Sequence, residues 1–433
     1  MSQAGYAPRQ AAYHLLQDVL IKNTPLDQAL NQNTYFNNLE GRDRSLVRMI
    51  VSTSLRHKGQ IDALLLKVRE KKINPPTTYL ILYIGIVQLL WMKVPSHAAI
   101  DITVTLAEKE NHTRLKGLVN AILRRIDHEA EVLLKDIDRI KSNIPDWLFN
   151  EWIDGYGQEE AMRISEASIQ EASTDITLKE QNKVKEWAEK LHANILPTNS
   201  LRLKEQKDIT QLEGYEAGAW WVQDAASALP VNLLPDDLTN KTVIDLCAAP
   251  GGKTMQLAAR GANVIAVDRS ANRLKRLKDN LDRTNLSQNV KVVVADGAMW
   301  RPEQPADIVL LDAPCSATGT LRRHPDLMHL KTANDVEKLA QLQAKLLNNT
   351  AKMIKGDGML IYCTCSLQKK EGETQVESFL KSHSDFQTVP ILKEKLKNLE
   401  NALTDQGWIR LRPNMLADQG GIDGFFIAQM IKK

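Results

Sequence analysis

Two of the four cysteines in this 433-residue chain stand directly beyond short apolar runs. Cys315 follows Ala306-Asp-Ile-Val-Leu-Leu-Asp-Ala-Pro, and Cys365 follows Gly358-Met-Leu-Ile-Tyr-Cys-Thr. Short Val/Ile/Leu-rich runs bounded by turn residues read as buried strands of a parallel sheet. Ligands of such sheets sit outside the carboxyl ends of the strands. Both thiols are therefore expected in one crevice, beside Asp312 and the loop Pro250-Gly251-Gly252-Lys253-Thr254. A thiol is well suited to a temporary covalent bond with an electron-poor carbon. Two thiols and an acid over a glycine-rich loop point to covalent group transfer.

The elements that must position these groups follow from the apolar spacing. From Arg9 to about Ile140, apolar residues recur at three and four, as in Ala11, Leu15, Leu16, Val19 and Leu20. That predicts an all-α bundle over residues 1–140. Residues 141–213 begin with the connector-like Asn143-Ile-Pro-Asp-Trp147 and read as a small α/β segment, with a helix over Val184 to His192. From residue 214 to 433, strands at Val243–Asp245, Val264–Val267, Val290–Ala295, Ile308–Leu311 and Met359–Tyr362 alternate with helical stretches. That alternation predicts a doubly wound, Rossmann-like α/β domain with a mostly parallel sheet.

Composition narrows the class. Hydrophobic residues make up 43% and charged residues 25%, as in ordinary globular proteins. The longest apolar stretch, Tyr79 to Met92, is too short and interrupted to span a bilayer. Four cysteines are too few for a disulfide framework, so reduced thiols and a cytoplasmic location are expected. Residues 1–126 carry 17 Lys and Arg against 9 Asp and Glu, and the remainder carries 39 against 44. A basic first module on a mildly acidic body suggests an anionic partner, with nucleic acid foremost.

The loop Asp245-Leu-Cys247-Ala248-Ala249-Pro250-Gly251-Gly252-Lys253-Thr254 follows a strand and opens a helix. It is neither the phosphate-binding G-x4-G-K-T, since Cys247 occupies the first glycine position, nor G-x-G-x-x-G. Acids at successive strand ends give it meaning: Asp245, Asp268, Asp296 and Asp312. Asp268 lies sixteen residues after Gly252, near the spacing at which such folds place a carboxylate on ribose hydroxyls. Asp296 can accept from an adenine amino group. An adenosine-containing cofactor is the expected ligand, held by residues 247–253, Asp268, Asp296 and Asp312. A zinc site at Cys363, Cys365, Cys315 and His324 is disfavoured, because a C-x-C inside a strand is poorly placed for metal. Arg322-Arg-His-Pro-Asp326 could hold RNA phosphate or cap the next helix.

The motifs carry a family resemblance. Asp245 to Thr254, Asp312-Ala-Pro-Cys-Ser-Ala-Thr-Gly-Thr and Tyr362-Cys-Thr-Cys-Ser366 resemble three signatures of the RNA (cytosine-5) methyltransferases. Trp221-Val-Gln-Asp-Ala-Ala226 and Asp423-Gly-Phe-Phe-Ile-Ala428 are similar to that family as well. Asp43-Arg-Ser-Leu-Val-Arg48 and Gly117-Leu-Val-Asn-Ala-Ile-Leu-Arg124 resemble NusB, an RNA-binding helical fold. The combination resembles the bacterial enzymes that act on 16S small-subunit ribosomal RNA. It implies S-adenosyl-L-methionine as cofactor, ribosomal RNA as partner, no metal or membrane partner, and a monomer.

The implied reaction begins with a thiolate adding to cytosine C6, which makes C5 nucleophilic towards the sulfonium methyl. Asp312, protonated or sharing a proton with N3, would stabilise charge developing on the ring. The residues alone do not choose the nucleophile. DNA cytosine-5 methyltransferases use a Pro-Cys cysteine, which would select Cys315. The RNA family uses the Thr-Cys cysteine, which implies Cys365 as nucleophile and Cys315 in product release. Cys363 reads as a buried core thiol, and Cys247 as a backbone contributor to the loop. Transfer RNA as the substrate, or a noncatalytic antitermination role, are the competing readings.

Overall fold

The computed structural model describes residues 5–205 and 208–433. By internal contacts it divides into two units: residues 1–150 with 323–331, and residues 151–322 with 332–433. The first unit is helical. Its centre is the helix Thr77–Leu90, in which every residue from Leu80 to Gln88 is buried. Apolar side chains on all faces of a helix require partners on all faces, and the helices Tyr6–Leu20, Gly41–Arg56, Ser96–Lys109 and Lys116–Leu134 supply them. The nine residues 323–331 complete this unit although the whole stretch 151–322 separates them from its other part. There the buried Asp326 carboxylate accepts from the Leu26 amide at 3.0 Å, and His329 Nε2 lies 2.7 Å from the Leu55 carbonyl.

The second unit starts with helices Asp146–Tyr156, entered from the first unit, and Gln158–Ser168. Neither helix was evident from composition, because Pro145 and Gly157 punctuate the stretch like a connector. Four short strands follow: β1 (Asp175–Leu178), β2 (Ala193–Ile195), β3 (Leu201–Leu203) and β4 (Trp220–Val222). They form an antiparallel sheet in the order β2-β3-β1-β4. A buried ion pair, Arg202 to Asp175 at 2.7 Å, joins β3 to β1.

The main sheet comprises β5 (Thr242–Leu246), β6 (Asn263–Asp268), β7 (Val290–Val294), β8 (Ala306–Asp312), β9 (Ile354–Thr364), β10 (Phe386–Thr388), β11 (Ile409–Leu411) and β12 (Phe425–Lys432). Its order is β10-β12-β9-β8-β5-β6-β7, with β11 pairing β12. β5 to β9 are parallel, as the alternation predicts, while β10, β11 and β12 join antiparallel. Apolar clusters pack on both faces of this sheet. The chain winds outward from β5 through β6 to β7, then returns to β8 on the other side. That reversal opens a crevice at the carboxyl ends of β5 and β8. Among the described residues, no helix is long and apolar enough to cross a membrane.

Two histidines of the helical unit are held neutral. Burial, then Arg56, pushes His57 down to about 4; burial also pushes His329 down to about 4 against its contact with the Leu55 carbonyl. The unfolded chain therefore binds more protons than the folded one between about 4 and 6.5, and stability rises with pH through that window. Native-state hydrogen exchange in Gly41–Arg56 and Lys58–Val68 should show protection free energy falling as pH drops from 6.5 towards 4. Protection independent of pH across that window would contradict the assignment.

Candidate active site

The crevice is built from the ends of four strands. β5 ends at Leu246, and the next residue, Cys247, turns the chain with φ 62°. The loop closes at Gly251, φ 107°, a backbone conformation that favours glycine, where a Cβ would also meet Leu277 at 2.9 Å. Helix Gly252–Ala259 starts there, presenting its unpaired amides to the crevice end of the sheet. Ala248 and Ala249 are buried, Pro250 is exposed, and Cys247 is half-buried. The Cys247 thiol is pushed up to about 12 by burial, with Asp268 next in effect, so it is inert as a nucleophile.

The acids divide by environment. Asp245 is fully buried, and its Oδ2 accepts from Thr254 Oγ1 at 2.6 Å. Burial pushes its pKa up to about 7, against the opposing effects of that hydrogen bond and Lys253. Its Oδ1 is buried without a hydrogen-bond partner. Asp268, 3% exposed, is anchored by the amides of Ala249 (3.2 Å) and Ser270 (2.9 Å), and Arg273 pairs with it at 3.4 Å. Asp296 is exposed beyond β7 and caps the turn through the Ala298 amide at 3.0 Å.

The residues present fit an adenosine-containing group. A glycine turn at a helix start, an anchored carboxylate at the end of the adjacent strand, and an orphaned buried acceptor at Asp245 are the features such a ligand would satisfy. Gln223 adds a contact that spacing did not reveal. It accepts from Trp221 Nε1 at 2.8 Å, donates to Gln256 Oε1 at 2.8 Å, and backs Gly252. This chain of bonds explains the Trp221-Val-Gln motif.

The thiols meet as the strand positions predict. Cys315 Sγ and Cys365 Sγ are 3.4 Å apart, both half-buried. Cys363 is fully buried one step below, its Sγ donating to Asp312 Oδ1 at 3.6 Å. Asp312 Oδ2 accepts from Lys253 Nζ at 2.8 Å. Burial alone would lower the Lys253 pKa, but Asp312 outweighs it and holds the ammonium above its ordinary range. Asp312 is thus paired to a loop lysine, a partner that strand spacing did not reveal. Lys253 also lies over the Phe425 ring at 5.1 Å, which ties in the Asp423-Gly-Phe-Phe motif.

Backbone contacts lock the loops together. The Gly319 amide donates to the Cys365 carbonyl at 2.9 Å, and the Gly424 amide donates to the Gly319 carbonyl at 2.8 Å. A Cβ at Gly319 would stand 2.1 Å from the Gly424 oxygen, so no larger residue fits. Arg322 is buried at 2% exposure and donates to the Gly420 carbonyl. It braces a turn of the catalytic unit rather than offering itself to phosphate. Among the described residues, no group of three or more His, Cys, Asp or Glu could hold a metal.

Loss of a charge-assisted partner costs about 1.5–3 kcal/mol. Asp268→Ala should therefore weaken S-adenosylmethionine binding by roughly ten- to hundred-fold, measured by calorimetry. Unchanged affinity in a folded variant would remove Asp268 from the cofactor site.

Residues 232–431 match the family described as 16S rRNA methyltransferase RsmB/F, and residues 7–128 match the NusB family. The chain is 33% identical to ribosomal RNA small subunit methyltransferase B of Serratia proteamaculans, over 94% of this chain and 96% of that one. It is 32% identical to the protein of the same name in Cronobacter sakazakii, over 98% of both. The crystal structure of PH0851 superposes with a TM-score of 0.75 at 23% identity, covering 98% of this chain and 99% of that one, which establishes a shared fold. Since the likeness in sequence covers 94% or more of the chain in both relatives, the chain belongs to the ribosomal RNA small subunit methyltransferase B family.

Proposed function

We propose that this methyltransferase places a methyl group on C5 of a cytosine in 16S ribosomal RNA, through a covalent bond between Cys365 and C6 of the base. The observation that carries the reading is the pair of thiols 3.4 Å apart beside Asp312. Methyl transfer to an already nucleophilic nitrogen or oxygen has no use for two adjacent thiols. Transfer to a pyrimidine carbon does, because C5 must first be activated by addition at C6.

The two thiols are not equivalent. The Cys315 pKa is held well above the ordinary thiol range, first by its hydrogen bond to Cys365, then by burial and by the charges of Cys365 and Glu371. A thiol that keeps its proton is a poor nucleophile. On this reading Cys315 is the proton-bearing partner, and its S–H donates to Cys365 Sγ. This supports the assignment that the resemblance implies.

S-adenosylmethionine is the methyl donor and, when bound, supplies an electrophilic carbon on its sulfonium sulfur. The rest falls to side chains of the chain. Cys365 Sγ forms a bond to C6, and the displaced ring electrons leave C5 electron-rich. Asp312, aligned by Lys253 and Cys363, accepts from the cytosine N4 amino group, and Lys253 offsets charge that accumulates on the ring. After C5 has taken the methyl group it loses its proton to a base, the C5–C6 double bond re-forms, and the C6–S bond breaks. Cys315, in contact with the departing sulfur, assists that last step.

Cys365→Ser should abolish methylation and any covalent RNA adduct, since a hydroxyl is far less ionised than a thiol at neutral pH. Cys315→Ser should attack and methylate, then stall as a protein–RNA species that survives denaturing electrophoresis. The reverse pattern would make Cys315 the nucleophile, and methylation without adduct in either variant would remove covalent catalysis. Bisulfite mapping of ribosomal and transfer RNA, with and without the protein, decides the substrate; a new 5-methylcytosine confined to transfer RNA would overturn the 16S assignment.

RNA binding is assigned to the basic helical unit, whose residues 1–126 carry eight more cationic than anionic side chains. Affinity of the full chain should then fall steeply as salt rises from about 50 to about 200 mM, by roughly a thousand-fold if some six phosphates are contacted. A flat salt response in filter binding would deny the unit this role.

A further inference from the structure

One carboxylate that the reaction does not consume sits directly beneath the two thiols. Glu371 is fully buried, on a short turn after β9. Its Oε1 accepts from the Ser316 amide at 2.9 Å and from Gln343 Nε2 at 2.9 Å. Its Oε2 accepts from Ser316 Oγ and, at 2.5 Å, from Ser366 Oγ. Ser316 follows Cys315 and Ser366 follows Cys365, so a single carboxylate is bonded to the residue after each thiol. Gln343 also donates to the Pro314 carbonyl at 2.9 Å, which brings the residue before Cys315 into the same knot. The Glu371 backbone is fixed as well: its carbonyl accepts from Tyr362 Oη at 2.8 Å and Thr364 Oγ1 at 3.3 Å, both on β9.

We propose that Glu371 is the positioning residue of the thiol pair: it fastens the two Cys-Ser steps to one point and so sets the geometry in which Cys365 attacks with Cys315 against it. The proposal rests on the reading of the thiols as nucleophile and partner. All four of these donors are neutral groups, two from the loop at Ser316 and one each from Gln343 and Ser366. Four donors fill the acceptor sites of one carboxylate, as its full burial requires. What they accomplish is geometric, because two loops from different strands otherwise have independent freedom. A misplacement of about 1 Å costs roughly a hundred-fold in rate.

Two readouts test this. Glu371→Gln keeps the shape but removes the charge and turns one acceptor into a donor. Methyl transfer by the full chain should lose about ten- to hundred-fold in kcat, while S-adenosylmethionine affinity by calorimetry stays unchanged. In parallel, iodoacetamide labelling followed by mass spectrometry reads each cysteine across pH. In the wild-type chain Cys365 should label well ahead of Cys315; in Glu371→Gln, Cys315 should label at lower pH and the preference should narrow. Wild-type kcat together with an unmoved labelling profile would overturn the proposal. Should Glu371→Gln fail to fold, the double variant Ser316→Ala/Ser366→Ala removes both hydroxyl donors and leaves the acid. There the two loops lose their tie while the acid stays, so the preference should narrow through slower labelling of Cys365, and an unmoved profile refutes the proposal equally. Labelling needs no RNA, so the two readings can fail separately. A displaced profile beside a wild-type enzyme that makes no 5-methylcytosine would uphold Glu371 and overturn the reaction.

Discussion

Parallel pairing of β8 with β9 places the catalytic groups before any side-chain chemistry is considered. In that ladder Asp312 lies opposite Cys363, so both strands end level with each other. Three residues on from Asp312 is Cys315, and two residues on from Cys363 is Cys365. With neighbouring parallel strands roughly 4.8 Å apart, two loops of this length must bring their tips together. A shift of one position would turn Asp312 and Cys363 to opposite faces, because alternate residues face opposite sides. Packing on both faces, with Leu310 and Ile361 in one cluster and Leu311 and Tyr362 in the other, holds the register that keeps them together.

On that frame, burial gives each polar group a different assignment. Asp245 and Asp312 end neighbouring strands, yet one is pushed up to about 7 by burial and the other is paired to Lys253. A lysine nearly removed from water survives as an ammonium only because a carboxylate meets it at 2.8 Å. That pair joins the glycine-rich loop to the motif that carries Cys315, so the cofactor loop and the thiol loop are electrostatically one object. Breaking it would leave an uncompensated charge in either loop, which makes Lys253 more than a loop residue that happens to follow two glycines.

Much of this was legible in the sequence, and the parts that were not have physical reasons. Strand ends, the turn at Gly251-Gly252 and the convergence of Cys315 with Cys365 follow from apolar runs and turn residues. Glu371 was hidden because Lys369-Lys-Glu-Gly-Glu373 reads as a solvated charge run, and nothing local says that its third residue turns inward. Arg322 misled in the opposite direction: two adjacent arginines suggest an exposed anion grip, but the first is buried against a turn at Gly420. Residues 323–331 belong to the helical unit through long-range contacts that no periodicity encodes. The antiparallel strands β10 to β12 were missed because Phe425-Phe-Ile-Ala was read as a motif, though its apolar run is also a buried strand.

The arrangement of the two thiols also limits what each can do. At 3.4 Å the pair shares a single proton when Cys365 is ionised, and the bond that stabilises the Cys365 thiolate is the one that keeps Cys315 protonated. Burial silences Cys247 and Cys363. The difference lies in partners: Cys247 and Cys363 face carboxylates, whose charge opposes a thiolate, whereas Cys365 faces a donor. On the proposed reading, Cys365 is aided by a second cysteine and not by a cation. That leaves the basic side chain nearest the crevice, Lys253, committed to Asp312 and available to offset charge on the base. On the proposed reading the same S–H donor also eases departure of the sulfur once the methyl group is in place, because a better-stabilised thiolate is the better leaving group.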